Sequence, residues 1–227
     1  MPDRPLRLAV FDCDGTLVDS LHVIAGAAAE AFASLGLQAP AATEVQAFVG
    51  LPLIEALDRL APPQANREAL RDRYVEAYRT LIADPAMHEP LFAGAAAALE
   101  DIQAAGILLG IATGKGRRGL DAVLDRHGLG DKFVTLQTSD SGPGKPNPAM
   151  LLSAMSEAGV APSETVMIGD TTFDVVMAGS AGVDAIGVGW GYHPPVELSS
   201  AGAAFLASEF GEIPAAVERL TGERSCV

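Results

Sequence analysis

Five short runs of branched and apolar residues, each closing on small or polar ones, set the frame for this chain: 6–12, 107–113, 132–138, 165–170 and 185–190. Runs of this length and content read as buried strands. Helix-compatible stretches lie between the later ones, at 117–127, 148–158 and 173–181. "HGLG" at 127–130 stops the first of these and "GVAP" at 159–162 the second. Strands that alternate with helices imply a parallel sheet, because a parallel crossover needs a long connection that covers one face. The expected class is α/β, a doubly wound parallel sheet.

The first connection breaks that rhythm. No strong strand falls between Asp12 and Ile107, and helices are expected near 20–35, 43–48, 52–60, 66–83 and 93–105. "LQAPAA" (37–42) and "LAPPQA" (60–65) are breaks, and "ADPAMHEP" (83–90) reads as a linker. The expected organisation is an α/β core from 1–17 and 86–227 with an α-helical cap inserted at 18–85. A module inserted beside the end of the first strand is well placed to be a lid. At 227 residues, 49% apolar, the chain has material for such a core and its insert.

Charge narrows the partners. Fifteen Lys and Arg against 29 Asp and Glu give a net −14, which argues against a broad basic nucleic-acid face. The same charge repels a phosphorylated substrate unless a metal or a few placed cations reverse the local sign. Two cysteines, Cys13 and Cys226, make no disulfide framework, so a reducing cytoplasm is the expected setting. The opening "MPDRPLRLAVFDCDG" lacks the apolar stretch of a signal peptide. No segment reaches the roughly 20 apolar residues of a membrane span.

The chemistry-bearing residues gather where the strands end. In open α/β sheets ligands bind at the carboxyl ends of strands. Asp12 ends the first, Thr113 the second and Asp170 the fourth, while Lys145 sits in the loop "SDSGPGKPNP" ahead of the fourth. Asp12 and Asp14 are two apart on an extended segment, so both side chains can point one way, and Gly15 permits a positive-φ turn. Carboxylates held together raise one another's pKa unless a cation intervenes. Mg²⁺ takes oxygen ligands; Asp12, Asp170 and a backbone carbonyl near Asp14 would hold it. Lys145, Thr113 and nearby N–H groups would then receive a phosphoryl group. One Asp can serve as nucleophile and a second as the group that moves the proton.

"FDCDGTLVDS", "IATGK", "GKPNP" and "IGDTTFD" resemble, in order and spacing, the four motifs of the haloacid dehalogenase-like hydrolases. The branch they resemble most is the phosphoglycolate phosphatase-like one, which carries a helical cap after the first strand of a Rossmann-like core, and "GVDAIGVGWGYHPPVEL" (182–198) is similar to it as well. The resemblance implies a Mg²⁺-dependent phosphoric monoester hydrolase for a small phosphorylated metabolite, with no nucleic-acid or membrane partner, as a monomer or homodimer. It makes Asp12 the nucleophile, Asp14 the general acid/base, and Thr113 and Lys145 the phosphate binders. The Mg²⁺ ligands would be Asp12, the Asp14 carbonyl and Asp170, with Asp174 in support. An acid at position 14 favours phosphoester hydrolysis over the dehalogenase and phosphonate-cleaving branches. One departure stands out: relatives commonly carry Asn after the Thr of the second motif, and here Gly114 leaves only a backbone N–H for phosphate.

Other readings compete. Asp12 and Asp14 alone could be a solvated turn. An EF-hand loop fails by count, with Leu17 where its Gly belongs and Val23 where its Glu belongs. "GKGRRG" (114–119) matches the dinucleotide pattern G-x-G-x-x-G, with Asp140 about twenty residues on. It follows the second strand, however, and leaves Asp12, Asp14 and Lys145 unexplained. A persistent phospho-Asp signalling domain would need neither Asp14 nor a lid, and pyrophosphatase or sugar-phosphate phosphatase and mutase chemistry stays open within the family. Asp174 fits a helix-start acid as well as a site residue. His22 is a substrate contact or a helix-surface residue, and Arg67, Arg71 and Arg73 read as a solvated face. Cys13 should point into the core, Asp19 should help start the first cap helix, and Trp190–Tyr192 is either core edge or pocket wall.

Overall fold

The structure, a computed structural model, describes residues 5–84 and 87–222. Cys226 and the expected boundary at 85/86 lie outside the described residues. Strands β1 (Leu8–Phe11), β2 (Leu108–Ala112), β3 (Phe133–Gln137), β4 (Thr165–Gly169), β5 (Asp184–Val188) and β6 (Phe205–Ala207) form one sheet in the order β3-β2-β1-β4-β5-β6. Every pairing is parallel, with Phe11 opposite both Ile111 and Ile168.

Alternation along β1 assigns the two faces. Ala9 and Phe11 pack with Leu99 and Ile102 of α5 (Ala95–Ala104), Leu120 and Val123 of α6 (Arg117–His127), and Ile213 and Val217 of α10 (Ile213–Gly222). Leu8 and Val10 pack with Leu151 of α7 (Ala149–Ala158), Ala178 of α8 (Thr172–Ser180) and Leu198 of α9 (Pro195–Ala201). This is the expected doubly wound, Rossmann-like α/β core. Its sixth strand and last two helices add to the elements read from sequence. "FLA" at 205–207 is only three residues long, and it becomes a strand by pairing with β5.

Between β1 and α5 the chain forms α1 (Leu21–Ser34), α2 (Ala42–Gln46), α3 (Leu53–Leu60) and α4 (Arg67–Ala83), all within about two residues of expectation. Helix α1 packs along α4. Ala31, Phe32, Leu57, Ala61 and Leu70 bury a small core of their own. The outgoing and returning chain run side by side: Val18 pairs with Leu91, and the Asp19 N–H donates to Pro90 O at 2.9 Å. Asp19 is exposed, and the residue flanking α1 is Ser20. The expected helix-starting role for Asp19 is therefore corrected: its backbone, not its carboxylate, ties the crossing. No described helix is long and apolar enough to cross a membrane.

Candidate active site

Strand β1 runs directly into Asp12, and the chain then turns on Gly15 at φ 81°. The turn closes with Gly15 N–H to Val18 O at 2.9 Å and Leu17 N–H to Cys13 O at 2.9 Å. A Cβ on Gly15 would also lie 2.7 Å from the Tyr192 ring, so this position needs glycine for room as well as for conformation. Cys13 is fully buried in the core, as alternation requires, and burial pushes its thiol well above its ordinary pKa. It is a packing residue.

Asp12, Thr113, Lys145 and Asp170 all come to this edge of the sheet and are buried. Lys145 Nζ lies between two carboxylates, 2.7 Å from Asp12 Oδ2 and 2.6 Å from Asp174 Oδ1. Asp12 Oδ1 accepts from Cys13 N at 2.6 Å. Asp174 reconciles its two readings. Its Oδ2 closes a capping box with Thr171 at the start of α8, accepting from Thr171 Oγ1 at 2.7 Å, while Oδ1 faces Lys145. Asp170 accepts from Thr16 Oγ1 at 2.8 Å and from Tyr192 N at 2.9 Å. Carboxylate oxygens of Asp12, Asp170 and Asp174 lie within 4.8 Å of one another.

The Asp14 carboxylate is not part of that trio. Its Oδ1 lies 3.0 Å from Lys115 Nζ. Lys115 also reaches Glu89 Oε1 at 3.1 Å and the Tyr78 hydroxyl at 2.7 Å, and all three residues make this ring with most of their side chains out of water. Lys115, Glu89 and Tyr78 were not singled out for chemistry by the sequence reading. Lys115 is one of the residues of the "GKGRRG" pattern, and Glu89 falls in the stretch read as a linker. An acid in a short linker and a lysine directly after the second motif's Thr-Gly were the available signals.

Five buried carboxylates (Asp12, Asp14, Glu89, Asp170, Asp174) face two buried ammoniums (Lys115, Lys145). The electrostatics follow from that surplus. Burial raises the Asp12 carboxyl, Lys145 pulls it back, and the outcome is about 7. Burial, then Asp12 and Asp174, push Asp170 well above its ordinary value. Burial alone would pull the Lys145 ammonium down, but Asp12 and Asp174 hold it above its ordinary value. Hard oxygen donors with unbalanced negative charge suit a divalent cation, so these residues fit Mg²⁺.

The helical insert covers this edge. Gln46 Nε2 donates to Tyr192 O at 2.7 Å. The loop after α2 lies on the second motif: a Cβ on Gly114 would sit 2.6 Å from Gly50 O and 2.8 Å from Leu51 O. Pro52 packs as closely on Gly144. Trp190 proves to be core edge, tilted on Phe210 with ring centroids 4.5 Å apart, whereas Tyr192 walls the site and bonds Ser20 N through its hydroxyl at 3.0 Å. His22 is exposed on α1, with Nε2 3.0 Å from His88 O. Arg71 and Arg73 pair with Asp72 and Glu76 on exposed helix surface, where such pairs contribute little. Arg67 departs from the expected solvated face: it is partly buried, pairs with Asp58 and donates to Pro62 O at 2.9 Å. The glycine pattern has a plain use: Gly116 flanks the start of α6, and Asp140 accepts from Arg117 N at 2.6 Å. Asp140, the acid of the dinucleotide pattern, caps a helix instead.

A doubly wound sheet whose first strand delivers two acids to a lysine-bridged, helix-covered edge makes a buried carboxylate centre. The family model "Haloacid dehalogenase-like hydrolase" matches residues 9–188, and the chain belongs to that family. It is similar to the probable phosphatase IndB of Dickeya dadantii, 33% identical with 94% of each chain covered. It is also similar to the phosphoglycolate phosphatase of Vibrio parahaemolyticus, 29% identical over 94% of this chain and 96% of that one. Among solved structures, a haloacid dehalogenase-like hydrolase from Streptococcus pneumoniae superposes with a TM-score of 0.82 at 24% identity, covering 93% of this chain and 98% of the other. At that identity the likeness speaks to fold.

Proposed function

We propose that this chain is a Mg²⁺-dependent phosphatase acting on a small phosphorylated metabolite, with phosphoglycolate-like acids the first class to test. The observation that carries the reading is the division of the buried acids into two lysine-bridged sets. Asp12 shares Lys145 with Asp174, and Asp14 stands apart on Lys115. Two neighbouring carboxylates in different surroundings can take different roles.

In this reading Asp12 attacks phosphorus, and the bond to the leaving oxygen breaks as Asp14 gives that oxygen its proton. Water then attacks the aspartyl-phosphate, Asp14 takes the water's proton, and Asp12 is released with inorganic phosphate. Lys145, Thr113 and the Gly114 N–H bind the phosphoryl oxygens. Asp12, Asp170 and the Asp14 carbonyl would hold Mg²⁺, and Asp174 would keep Lys145 in place. When bound, the metal neutralises phosphoryl charge. Helices α1–α4 act as the cap that excludes water and selects the leaving group.

The test is a screen of p-nitrophenyl phosphate, phosphoglycolate and other small phosphorylated acids and sugars, with Mg²⁺ and with chelator. Metal-dependent phosphate release is expected, and no metal-dependent turnover on any of them sinks the reading. Metal binding by itself carries a second prediction. Asp12 must be ionised to bind a cation, and in the metal-free chain its carboxyl sits at about 7. Asp170, the other carboxylate ligand, is raised as well, so protons compete at both groups and Mg²⁺ affinity should fall steadily as pH drops across this range. Calorimetric titration at pH 5.5, 6.5 and 8 checks this, and a flat profile contradicts it.

A further inference from the structure

We propose that Lys115 positions the acid/base Asp14 and couples its orientation to the seating of the helical cap. Three elements converge on one ammonium. Asp14 comes from the turn after β1, Tyr78 from cap helix α4, and Glu89 from the segment that returns the chain to the core. Lys115 itself directly precedes Gly116, the residue flanking α6.

The partners are arranged so that Lys115 has one place to be. The Tyr78 hydroxyl donates to Glu89 Oε1 at 2.6 Å and thus offers its lone pair to Lys115 Nζ at 2.7 Å. The Glu89 carbonyl lies 2.8 Å from His127 Nε2, so Glu89 meets α6 at both ends: Lys115 before its start and His127 at its finish. The Lys115 backbone N–H reaches Thr113 Oγ1 at 3.2 Å, which fixes the residue from its own side. Glu89 and Lys115 therefore belong to the core, and Tyr78 is the contact that arrives with the cap. The Lys115 side chain is 6% exposed and the Glu89 side chain 2%. Lys115 Nζ hydrogen-bonds Tyr78 and Glu89, which fix the ammonium, and it faces Asp14 Oδ1 as an ion pair at 3.0 Å.

Lys145 serves the nucleophile, and it stands between Asp12 and Asp174 without help from the insert. Lys115 serves Asp14, and one of its three oxygen partners belongs to the insert. With α4 withdrawn, the ammonium keeps Glu89 and Asp14 but loses the Tyr78 oxygen, so the direction in which it holds Asp14 is no longer fixed from the cap side. Seating of the cap and orientation of the acid/base side chain are then one event, so Asp14 is aimed when the site is covered.

This rests on the acid role proposed for Asp14, and the experiment separates the two. The readout is the ratio of kcat/KM for an alkyl phosphate, whose leaving oxygen needs a proton, to kcat/KM for p-nitrophenyl phosphate, whose phenolate leaves without one. Asp14→Asn should lower that ratio at least a hundredfold, the range of a lost general acid. Lys115→Met should lower it about tenfold, Lys115→Arg should restore part of the loss, and Tyr78→Phe should lower it about threefold. A merely structural lysine would lower both substrates together and leave the ratio where it was. A fall in Asp14→Asn with none in Lys115→Met overturns the inference alone. An unchanged ratio in Asp14→Asn overturns the acid role and the inference with it. Should Lys115→Met not fold, Tyr78→Phe, which removes a single oxygen, decides on the same ratio, and an unchanged value there counts against the coupling.

Discussion

Asp12→Asn is expected to remove turnover by a factor on the order of 10⁴ or more while leaving the fold at least as stable in the absence of metal. The substitution keeps the side chain's shape and removes its charge. In the metal-free protein that charge is fully buried among Asp14, Asp170 and Asp174, and the raised Asp12 carboxyl reports how poorly it is tolerated. Lys145 keeps its 2.6 Å contact with Asp174, so no ammonium is left without a partner. Breaking a buried pair normally costs several kcal/mol because the survivor is stranded, and here it is not. Chemistry fails for a separate reason: the amide cannot displace the leaving group and form an aspartyl-phosphate. The measurements are phosphate release under Mg²⁺ and thermal melting in chelator. Undiminished turnover removes Asp12 from the nucleophile's role, and a large fall in melting temperature would move the explanation from chemistry to folding.

Gly114→Ala is expected to lower kcat/KM about a hundredfold, although alanine carries no polar group and the residue lies outside the carboxylate cluster. The reason is the contact above it. The new Cβ would stand 2.6 Å from Gly50 O and 2.8 Å from Leu51 O, both backbone atoms that cannot swing aside like a side-chain tip. The 49–52 loop must lift, and the cap with it. Gly114→Asn, which installs the residue common in the resembling relatives, should be at least as damaging, because the loop fills the space that an amide would need. Overpacking of this kind also destabilises by roughly 1–3 kcal/mol. Steady-state kinetics on the substrate found in the screen, with the melting temperature beside it, checks both. A gain in kcat/KM for Gly114→Asn would show that the loop yields and that the missing side-chain contact had been limiting.

These two positions differ in how far sequence could read them. Asp12, Thr113 and Asp170 were legible because each closes a branched run, whereas Lys145 lies in a loop and was singled out by its Gly-Pro surroundings and the family resemblance. Gly114 was legible only as a departure. Its partners, Gly50 and Leu51, lie more than sixty residues away across a helix–helix insert whose docking no local pattern encodes. Asp174 was ambiguous for a concrete reason: the residue spacing suits a helix start and a site ligand, and its two oxygens in fact do one job each. Lys115 carries no local signal beyond its place in "GKGRRG", since its meaning depends on Glu89 and Tyr78. Strand β6, Phe205–Ala207, has three residues and no β-branched one to announce it.

The chain's local chemistry was enough to determine the α/β alternation, the helical insert and the list of acids and lysines at strand ends, because backbone preference and side-chain period act over a few residues. Which acid meets which lysine was decided by the tertiary structure alone. Lys145 and Lys115 are both buried ammoniums near an Asp of the same motif, and only the packing of α8 beside one and α4 beside the other separates them. Ion pairs in a buried site are set by distances of a few ångströms between segments far apart in the chain, and electrostatic coupling at that range carries no signature in the order of the residues.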